Sequence, residues 1–158
     1  MTREYKRGDT LELTIDSLAY GARGVARKND FVWFVEGAIP GQHVIARIKR
    51  IKKEYGETYA VKTLSPGIGQ VTPPCGQYAY CGGCKLQHLD YDLQIKEKTI
   101  QVRELLQRIG GIEEPPLYPA LPAEQVYRYR NKMEFSFSDS PWFTEGSENK
   151  PRDFALGL

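Results

Sequence analysis

Cys75-Gly-Gln-Tyr-Ala-Tyr-Cys81-Gly-Gly-Cys84 is the stretch around which the chain is organised, and it contains all three cysteines of the 158 residues. Thiolates bind soft metals and iron–sulfur clusters, and a two-residue gap lets one turn of backbone direct both sulfurs to one centre. Gly82 and Gly83 allow such a turn and bring backbone N–H groups near sulfur, where they stabilise thiolate charge. We therefore expect the sulfurs of Cys75, Cys81 and Cys84 to converge even without a bound group.

Three thiolates are one ligand short of the usual four. The fourth ligand can come from His88, from elsewhere in the intact protein, or from an exogenous group. His88 also has a simpler interpretation as a loop residue that is hydrogen-bonded to backbone. The odd number of clustered cysteines argues against a disulfide framework and fits a reducing compartment.

The composition is that of an ordinary globular protein, with 41% hydrophobic residues and a formal net charge of +2. No apolar run approaches the roughly 20 residues that span a bilayer, and the charged start has no apolar segment behind it. We expect a cytoplasmic protein, a monomer, with no membrane partner. The small net charge says little about partners, so the clustering of the basic residues matters more.

Short apolar or alternating runs separated by glycine and polar turns fill residues 9–65, and this spacing predicts a small OB-like antiparallel β-barrel of about five strands. We expect the glycines in the gaps to have positive φ, as turns require. The runs are Leu11–Ile15, Phe31–Val35, His43–Ile48 and Thr58–Thr63, and the glycines are Gly21, Gly24, Gly37, Gly41 and Gly56.

The densest basic cluster of the barrel precedes a predicted hairpin turn at Glu54, Tyr55 and Gly56. Such a cluster suits a phosphate-contacting loop, or equally a solvated hairpin that keeps an edge strand from aggregating. Small barrels often bind single strands with a basic groove and exposed aromatic rings, to which Arg23, Arg27 and Phe31 could add. The predicted RNA-contacting residues of this cluster are Arg47, Lys49, Arg50, Lys52 and Lys53.

Prolines and glycines in residues 65–74 predict a linker into the cysteine loop. A helix is then predicted over roughly residues 91–109, capped by Asp90 and ended by Gly110-Gly111. Its apolar residues recur at spacings of three and four and predict one buried face. These residues are Ile95, Thr99, Val102, Leu106 and Ile109.

Alternation over Val126–Phe137 predicts a strand with a charged face, which is either an ordinary solvated surface or a phosphate-contacting one. Its predicted RNA contacts are Arg128, Arg130 and Lys132. We expect these cations to lie on the same side of the molecule as the basic cluster of the barrel. Phe154–Leu158 reads as the start of a further strand, as if the chain stopped within a domain.

The sequence contains no glycine-rich nucleotide loop and no cysteine outside the cysteine stretch that could act as a nucleophile. It therefore offers no catalytic residue, and we expect the polypeptide to be inactive by itself. The fold class predicted from the residues is β-rich α+β. A zinc-dependent RNA-binding module that uses the three cysteines and His88 is one alternative, and an iron–sulfur electron carrier is another.

The chain resembles the amino-terminal part of the bacterial RNA (uracil-C5)-methyltransferases, especially the 23S rRNA branch. The resemblance rests on Cys-x5-Cys-Gly-Gly-Cys followed by Lys85–Leu89 and a helix containing Tyr91, behind a basic barrel and ahead of Tyr129-Arg-Asn-Lys132. It implies a TRAM barrel that binds RNA over residues 1–66. It also implies a partial α/β central domain over residues 67–158.

In this family the three cysteines and a fourth further along hold a [4Fe–4S] cluster. A carboxy-terminal domain binds S-adenosylmethionine and supplies the catalytic cysteine and base. The present sequence departs from the family in lacking the fourth cysteine and those catalytic parts. The resemblance therefore implies an RNA-binding, cluster-bearing fragment whose partner is 23S rRNA, with S-adenosylmethionine bound only by the full-length protein.

Overall fold

The computed structural model describes residues 5–78, 81–139 and 154–157, and all structural statements concern these residues. They fall into two compact units, one of residues 5–71 and 88–122 and one formed by the described residues of 72–87 and 123–157. The first unit contains six strands and a helix, and the second contains two short strands. The division at residue 66 proposed from the resemblance stays a prediction.

The first unit is built on a curled six-stranded sheet, a half-barrel with the strand order β1-β5-β6-β4-β3-β2. Its two outer strands are consecutive in the chain, and the link Ile15-Asp16 between them lets one bent segment pair with both ends of the sheet. The strands are β1 (Thr10–Thr14), β2 (Ser17–Ala19), β3 (Arg23–Lys28), β4 (Phe31–Glu36), β5 (His43–Ile51) and β6 (Tyr55–Ser65). The predicted β-rich amino-terminal part is confirmed.

The pairing of β4 with β6 corrects the prediction of a purely antiparallel barrel, because these two strands run parallel. A parallel pair needs a crossover connection, here the whole of β5 and its flanking turns, and no local sequence signal marks it. The hairpin turn also lies earlier than predicted. Lys52 N–H donates to Tyr55 O at 2.8 Å, so Tyr55 and Gly56 already belong to β6.

The core lies inside the curl of the sheet, where alternate strand residues are buried. Trp33 is fully buried and meets the rings of Tyr5 and Phe31 edge-on at 5.4 and 5.1 Å. Two predicted turn glycines are strand residues with a different role. A Cβ at Gly24 would lie 2.9 Å from Ile15 Cγ2, and one at Gly56 would overlap the Trp33 ring, so glycine is needed there for space.

The predicted linker is anchored to the sheet in its first part. The buried side chain of Gln42 donates to Gln70 Oε1 at 2.7 Å and accepts from Ile39 N–H at 3.0 Å. Val71 N–H donates to His88 O at 3.0 Å, and Asp90 N–H donates to Gly69 O at 2.8 Å. Residues 67–71 therefore pack with the first unit instead of forming a free connection.

Helix α1 spans Tyr91–Arg108, within one residue of the prediction at its end. Asp90 caps it, since its carboxylate accepts from Asp92 N–H at 3.0 Å, and Gly111 turns the chain away with φ of 66°. The predicted buried face is wrong. No helix residue is buried, and Ile109 is 81% exposed, because the helix meets the sheet mainly near β2, where Gln101 Nε2 donates to Leu18 O at 3.1 Å.

The second unit corrects the predicted late strand. Only Ser136–Ser138 (β7) forms a strand there, and it pairs antiparallel with β8 (Ala155–Gly157), which confirms a strand near the end of the sequence. Residues 126–135 have no strand partner among the described residues. Arg128 also has φ of 61°, which breaks an extended run. Alternation alone cannot make a strand where no neighbour satisfies the backbone groups.

No helix in the described parts of the chain is both long and apolar enough to cross a membrane.

Candidate nucleic-acid interface

The side chains of β3, β4, β5 and β6 that point away from the core form one continuous surface, called here the outer face. Its rows follow the strand register. Arg47 lies opposite Tyr59, Tyr59 opposite Glu36, and Glu36 opposite Arg23. The outer face combines cations, carboxylates and partly exposed rings: Arg23, Phe34, Glu36, Arg47, Lys49, Arg50, Tyr55, Glu57 and Tyr59.

Arg23 and the aromatic rings form the first cluster of the outer face. The Arg23 guanidinium lies 4.8 Å from the Phe34 ring centroid, and its Nη1 lies 3.8 Å from Glu57 Oε1. The rings of Phe34 and Tyr55 meet edge-on with centroids 5.4 Å apart. Each ring is thereby held in one orientation with part of its surface exposed to solvent.

Lys49 organises the second cluster. Its ammonium lies 2.7 Å from Glu36 Oε2 and 5.9 Å from the Tyr59 ring centroid. The Lys49 and Glu36 side chains are about half exposed, at 48% and 52%, so solvent screens the pair and a competing anion can replace the carboxylate.

The other predicted cations of the barrel are less engaged. Arg47 and Arg50 are exposed and form no ion pair within the described residues. Lys53 pairs at 3.9 Å with its neighbour Glu54, and both side chains are largely exposed. Lys52 closes the turn through its backbone. The structure thus places the five predicted cations along β5 and its turn, and Lys49 is tied into the sheet surface by Glu36 and Tyr59.

Phe31 is not an exposed aromatic of this surface, which corrects the expectation. It alternates with Phe34 along β4 and therefore faces inward, where it packs against the core and Trp33. Arg27 is engaged by Asp16 at 3.6 Å. Sequence reasoning missed Phe34, Tyr55 and Tyr59. The alternation around the apolar Trp33 and Val35 was the signal that would have placed Phe34 on the opposite side.

The predicted cations of the late strand lie in the second unit. Arg130 and Lys132 line one cavity, whereas Arg128 is not part of its lining. Lys132 Nζ lies 3.1 Å from Glu134 Oε1, and both side chains are more than 80% exposed. Their expected position on the same side as the basic cluster of the barrel stays a prediction.

The cysteine stretch forms hydrogen-bonded turns. Tyr78 N–H donates to Cys75 O at 3.1 Å and Cys81 N–H donates to Gln77 O at 2.8 Å. Gly83 N–H donates to Cys81 Sγ at 3.4 Å, which confirms the expected backbone donor near sulfur. The Tyr78 hydroxyl donates to Lys85 O at 2.7 Å and so ties the middle of the stretch to the residue that directly follows it. All three thiols are free.

The cysteines suit an iron–sulfur cluster in donor type, because three thiolates and a backbone N–H to sulfur are what such a cluster uses. Within the described ranges, no three side chains of His, Cys, Asp or Glu are gathered so that they could hold one metal ion. A preformed site for a single metal ion, such as zinc with His88, is therefore not found there, and the convergence of the three sulfurs stays a prediction.

His88 is a half-buried residue whose backbone carbonyl accepts from Val71 N–H at 3.0 Å, as the simpler interpretation of this residue expects. Burial lowers the pKa of His88 below its ordinary value, because a charged imidazolium would lose hydration there. A neutral imidazole is the form that binds metal, but it is equally the form that a buried structural histidine adopts.

Comparison with known proteins gives matches over most of the chain. The TRAM domain family matches residues 4–61. A protein of Bacteroides thetaiotaomicron named an RNA methyltransferase is 42% identical over 127 residues, which cover 80% of this chain and 28% of the relative. A protein of Chlorobaculum tepidum with the same kind of name is 34% identical over 161 residues, covering 98% of this chain and 33% of the relative.

Among solved structures, the Pyrococcus abyssi tRNA (uracil-54, C5)-methyltransferase in complex with S-adenosyl-L-homocysteine matches with a TM-score of 0.52 and 26% identity. The match covers 81% of this chain and 26% of that one. The chain thus spans about a third or less of the length of the curated relatives and of this structure. Residues 4–61 are accordingly similar to a TRAM domain, and most of the chain is similar to part of proteins named RNA methyltransferases.

Proposed function

We propose that this chain is the RNA-binding amino-terminal part of an S-adenosylmethionine-dependent RNA (uracil-C5)-methyltransferase whose substrate is 23S rRNA. The observation that carries the proposal is the outer face, on which cations alternate with partly exposed aromatic rings over four adjacent strands. The TRAM match and the names of the relatives support RNA as the partner. The bound product in the tRNA methyltransferase structure supports S-adenosylmethionine as the methyl donor of the full protein.

Binding on the outer face combines two kinds of interaction. Arg47 and Arg50, which have no carboxylate partner in the described residues, contact phosphates directly. Lys49 exchanges Glu36 for a phosphate oxygen. This contact adds less affinity than those of Arg47 and Arg50, because an existing ion pair is lost when it forms. Bases stack on exposed ring surface, a contribution of about 1–3 kcal/mol per base.

The proposed cofactor of this part is a [4Fe–4S] cluster held by Cys75, Cys81 and Cys84, with the fourth ligand outside the cysteines of this sequence. The residues of this chain contribute thiolates and the Gly83 N–H that stabilises charge on Cys81 Sγ. Anaerobic reconstitution with iron and sulfide, followed by visible absorbance and iron analysis, tests this part of the proposal. A colourless protein after reconstitution contradicts it.

RNA binding is tested by fluorescence anisotropy with a labelled, unstructured, uridine-containing RNA over a salt series. Arg47→Ala and Arg50→Ala should each flatten the log–log salt dependence by about 0.7, the value for one phosphate contact on a single strand. The matched control is Arg103→Ala, which removes the same charge from an exposed position on α1. Absence of binding at low salt, or equal effects of the control and the outer-face variants, would refute the outer face as the interface.

The stacking contribution is separated from charge by Tyr59→Leu. This change should weaken binding about 5- to 150-fold, the equivalent of 1–3 kcal/mol, without changing the salt dependence, because no charge is removed. Competition between a 23S rRNA fragment and a tRNA of equal length then tests the substrate. Preference for the tRNA would leave RNA binding intact and reject the rRNA assignment.

A further inference from the structure

The second unit contains a cavity of about 530 Å³ between the cysteine stretch and the segment of residues 130–134. This is the range of small-molecule pockets, about 300–1,000 Å³, and it exceeds the room that a single inorganic ion requires. The lining that matters chemically consists of Gly82, Gly83, Lys85, Arg130, Lys132 and Glu134. All lining residues of the cavity belong to the second unit, whereas the outer face belongs to the first.

The cavity has an excess of positive charge. Lys85 and Arg130 form no ion pair within the described parts of the chain. Lys132 is paired with Glu134, but both side chains are more than 80% exposed, so solvent screens this pair strongly. Two cations without a carboxylate partner that line one open cavity favour an anion there, and a guanidinium is suited to two parallel hydrogen bonds with phosphate oxygens.

The cysteine stretch holds its side of the cavity in place. The carbonyl of Lys85 is fixed by the Tyr78 hydroxyl at 2.7 Å, and the backbone at Gly83 is fixed by its hydrogen bond to Cys81 Sγ. Because Gly82 and Gly83 have no side chains, a ligand can approach their backbone closely. Glycine backbone of this kind commonly takes part in anion binding alongside cationic side chains.

We propose that this cavity binds the phosphate group of a nucleotide unit, with Lys85 and Arg130 as its charged ligands. The volume accommodates a phosphate together with its ribose. If the proposed function holds, the ligand is a phosphodiester group of the bound RNA strand, and this version of the inference rests on that function. A free nucleotide or a phosphate ion shares the same chemistry and is distinguished by experiment.

The site variants are Lys85→Gln and Arg130→Gln, and the matched control is Lys98→Gln, an exposed lysine on α1. Two titrations are made at low salt, one with the labelled uridine-containing RNA and one with uridine monophosphate followed by calorimetry. We expect each site variant to weaken RNA binding on the order of tenfold, as for loss of a charged hydrogen bond, and to lower the salt slope by about 0.7. The control should change neither value. Circular dichroism should be identical for all proteins, because the changes are isolated polar substitutions.

The outcomes separate this inference from the proposed function. RNA binding that depends on Arg47 and Arg50 but not on Lys85 and Arg130 overturns the cavity and leaves the proposed function standing. Uridine monophosphate binding that Arg130→Gln abolishes, without RNA binding by any variant, retains the phosphate site and rejects the RNA function. Absence of both kinds of binding rejects both.

Discussion

Gly56→Ala tests the packing on which the outer face rests. Gly56 is the register partner of Trp33 across the parallel β4–β6 pair, and a Cβ there would overlap Cε3 and Cζ3 of the Trp33 ring and lie 3.1 Å from Cη2. Trp33 is fully buried, so its ring has no free space into which to move. Overpacking costs roughly 1–3 kcal/mol, and contact with three ring atoms places this case near 3 kcal/mol.

For a unit of this size such a loss lowers the melting temperature by about 12–24 °C, at 4–8 °C per kcal/mol. The assay is urea unfolding followed by tryptophan fluorescence in a Trp142→Phe background, where Trp142 lies outside the described residues. The control is Gly76→Ala, because a Cβ at Gly76 meets nothing within 4 Å. A loss below about 0.5 kcal/mol, or an equal loss in the control, would refute the packing argument.

Gly56→Ala should also affect the outer face, which lies on the opposite side of the sheet from the core. Phe34 and Tyr55 each neighbour one of the two overpacked residues in sequence, and their rings touch at 5.4 Å on the outer face. Separation of β4 from β6 should therefore weaken RNA binding as well as stability. Retained RNA affinity in a clearly destabilised Gly56→Ala protein would show that these rings are not part of the interface.

The remaining predictions concern α1 and its approach. Gln101→Ala should cost about 1 kcal/mol in urea unfolding, because it leaves Leu18 O without its donor at 3.1 Å, and an unchanged midpoint would contradict this. Burial lowers the pKa of His88, so the unfolded state takes up the proton first as the pH falls through about 6.5. The free energy of unfolding should therefore fall on acidification, and it should fall less in His88→Gln. Parallel curves of unfolding free energy against pH for the two proteins would contradict this. Burial raises the pKa of Glu97 above its ordinary 4.5, against an opposing effect of Lys96, so ionisation of this carboxyl lowers stability as the pH rises. Glu97→Gln should therefore stabilise the protein at pH 7 and lose this advantage below about pH 4.5. No gain in stability at pH 7 would contradict this.

The elements that local pattern controls could be predicted from the sequence. Half-buried strands alternate with period two, and the cap at Asp90 and the stop at Gly110-Gly111 act within one helical turn, so the β-rich first part and α1 follow from their residues. Pairings between distant segments could not be predicted in this way. The parallel pairing of β4 with β6 depends on which strand lies nearby in the folded chain. The degree of burial of α1 depends in the same way on the neighbouring surface, because apolar residues spaced by three and four define a helix face but not what packs against it.

The candidate site divides in the same way. The cations near the end of β5 were visible as a cluster in sequence, but their ion pairs were not, because Glu36 comes from another strand. The sequence predicts Tyr55 in a turn, whereas it is the first residue of β6. Phe34 lies in an apolar run, where only its alternation with Trp33 and Val35 distinguishes the two faces of the strand. The register of β4 against β6 is needed to bring Phe34, Tyr55 and Tyr59 onto one surface.

The two proposed binding surfaces differ in how they are supported, and this difference has a consequence for binding. The outer face lies on a sheet with a buried core, so its backbone and its mutually packed rings are positioned before any ligand arrives and little backbone ordering is needed. The cavity is lined by turns and by a segment outside any strand, and the two strands in the described residues of its unit are three residues long. Few buried contacts mean a low free energy of local opening, so a phosphate bound there must also stabilise the lining against that opening.

Binding at the cavity should therefore be accompanied by slower amide exchange at residues 82–85 and 130–134, whereas binding at the outer face should leave exchange in β4 and β6 nearly unchanged. Equal protection at both surfaces would contradict this distinction between a preformed interface and a ligand-ordered one.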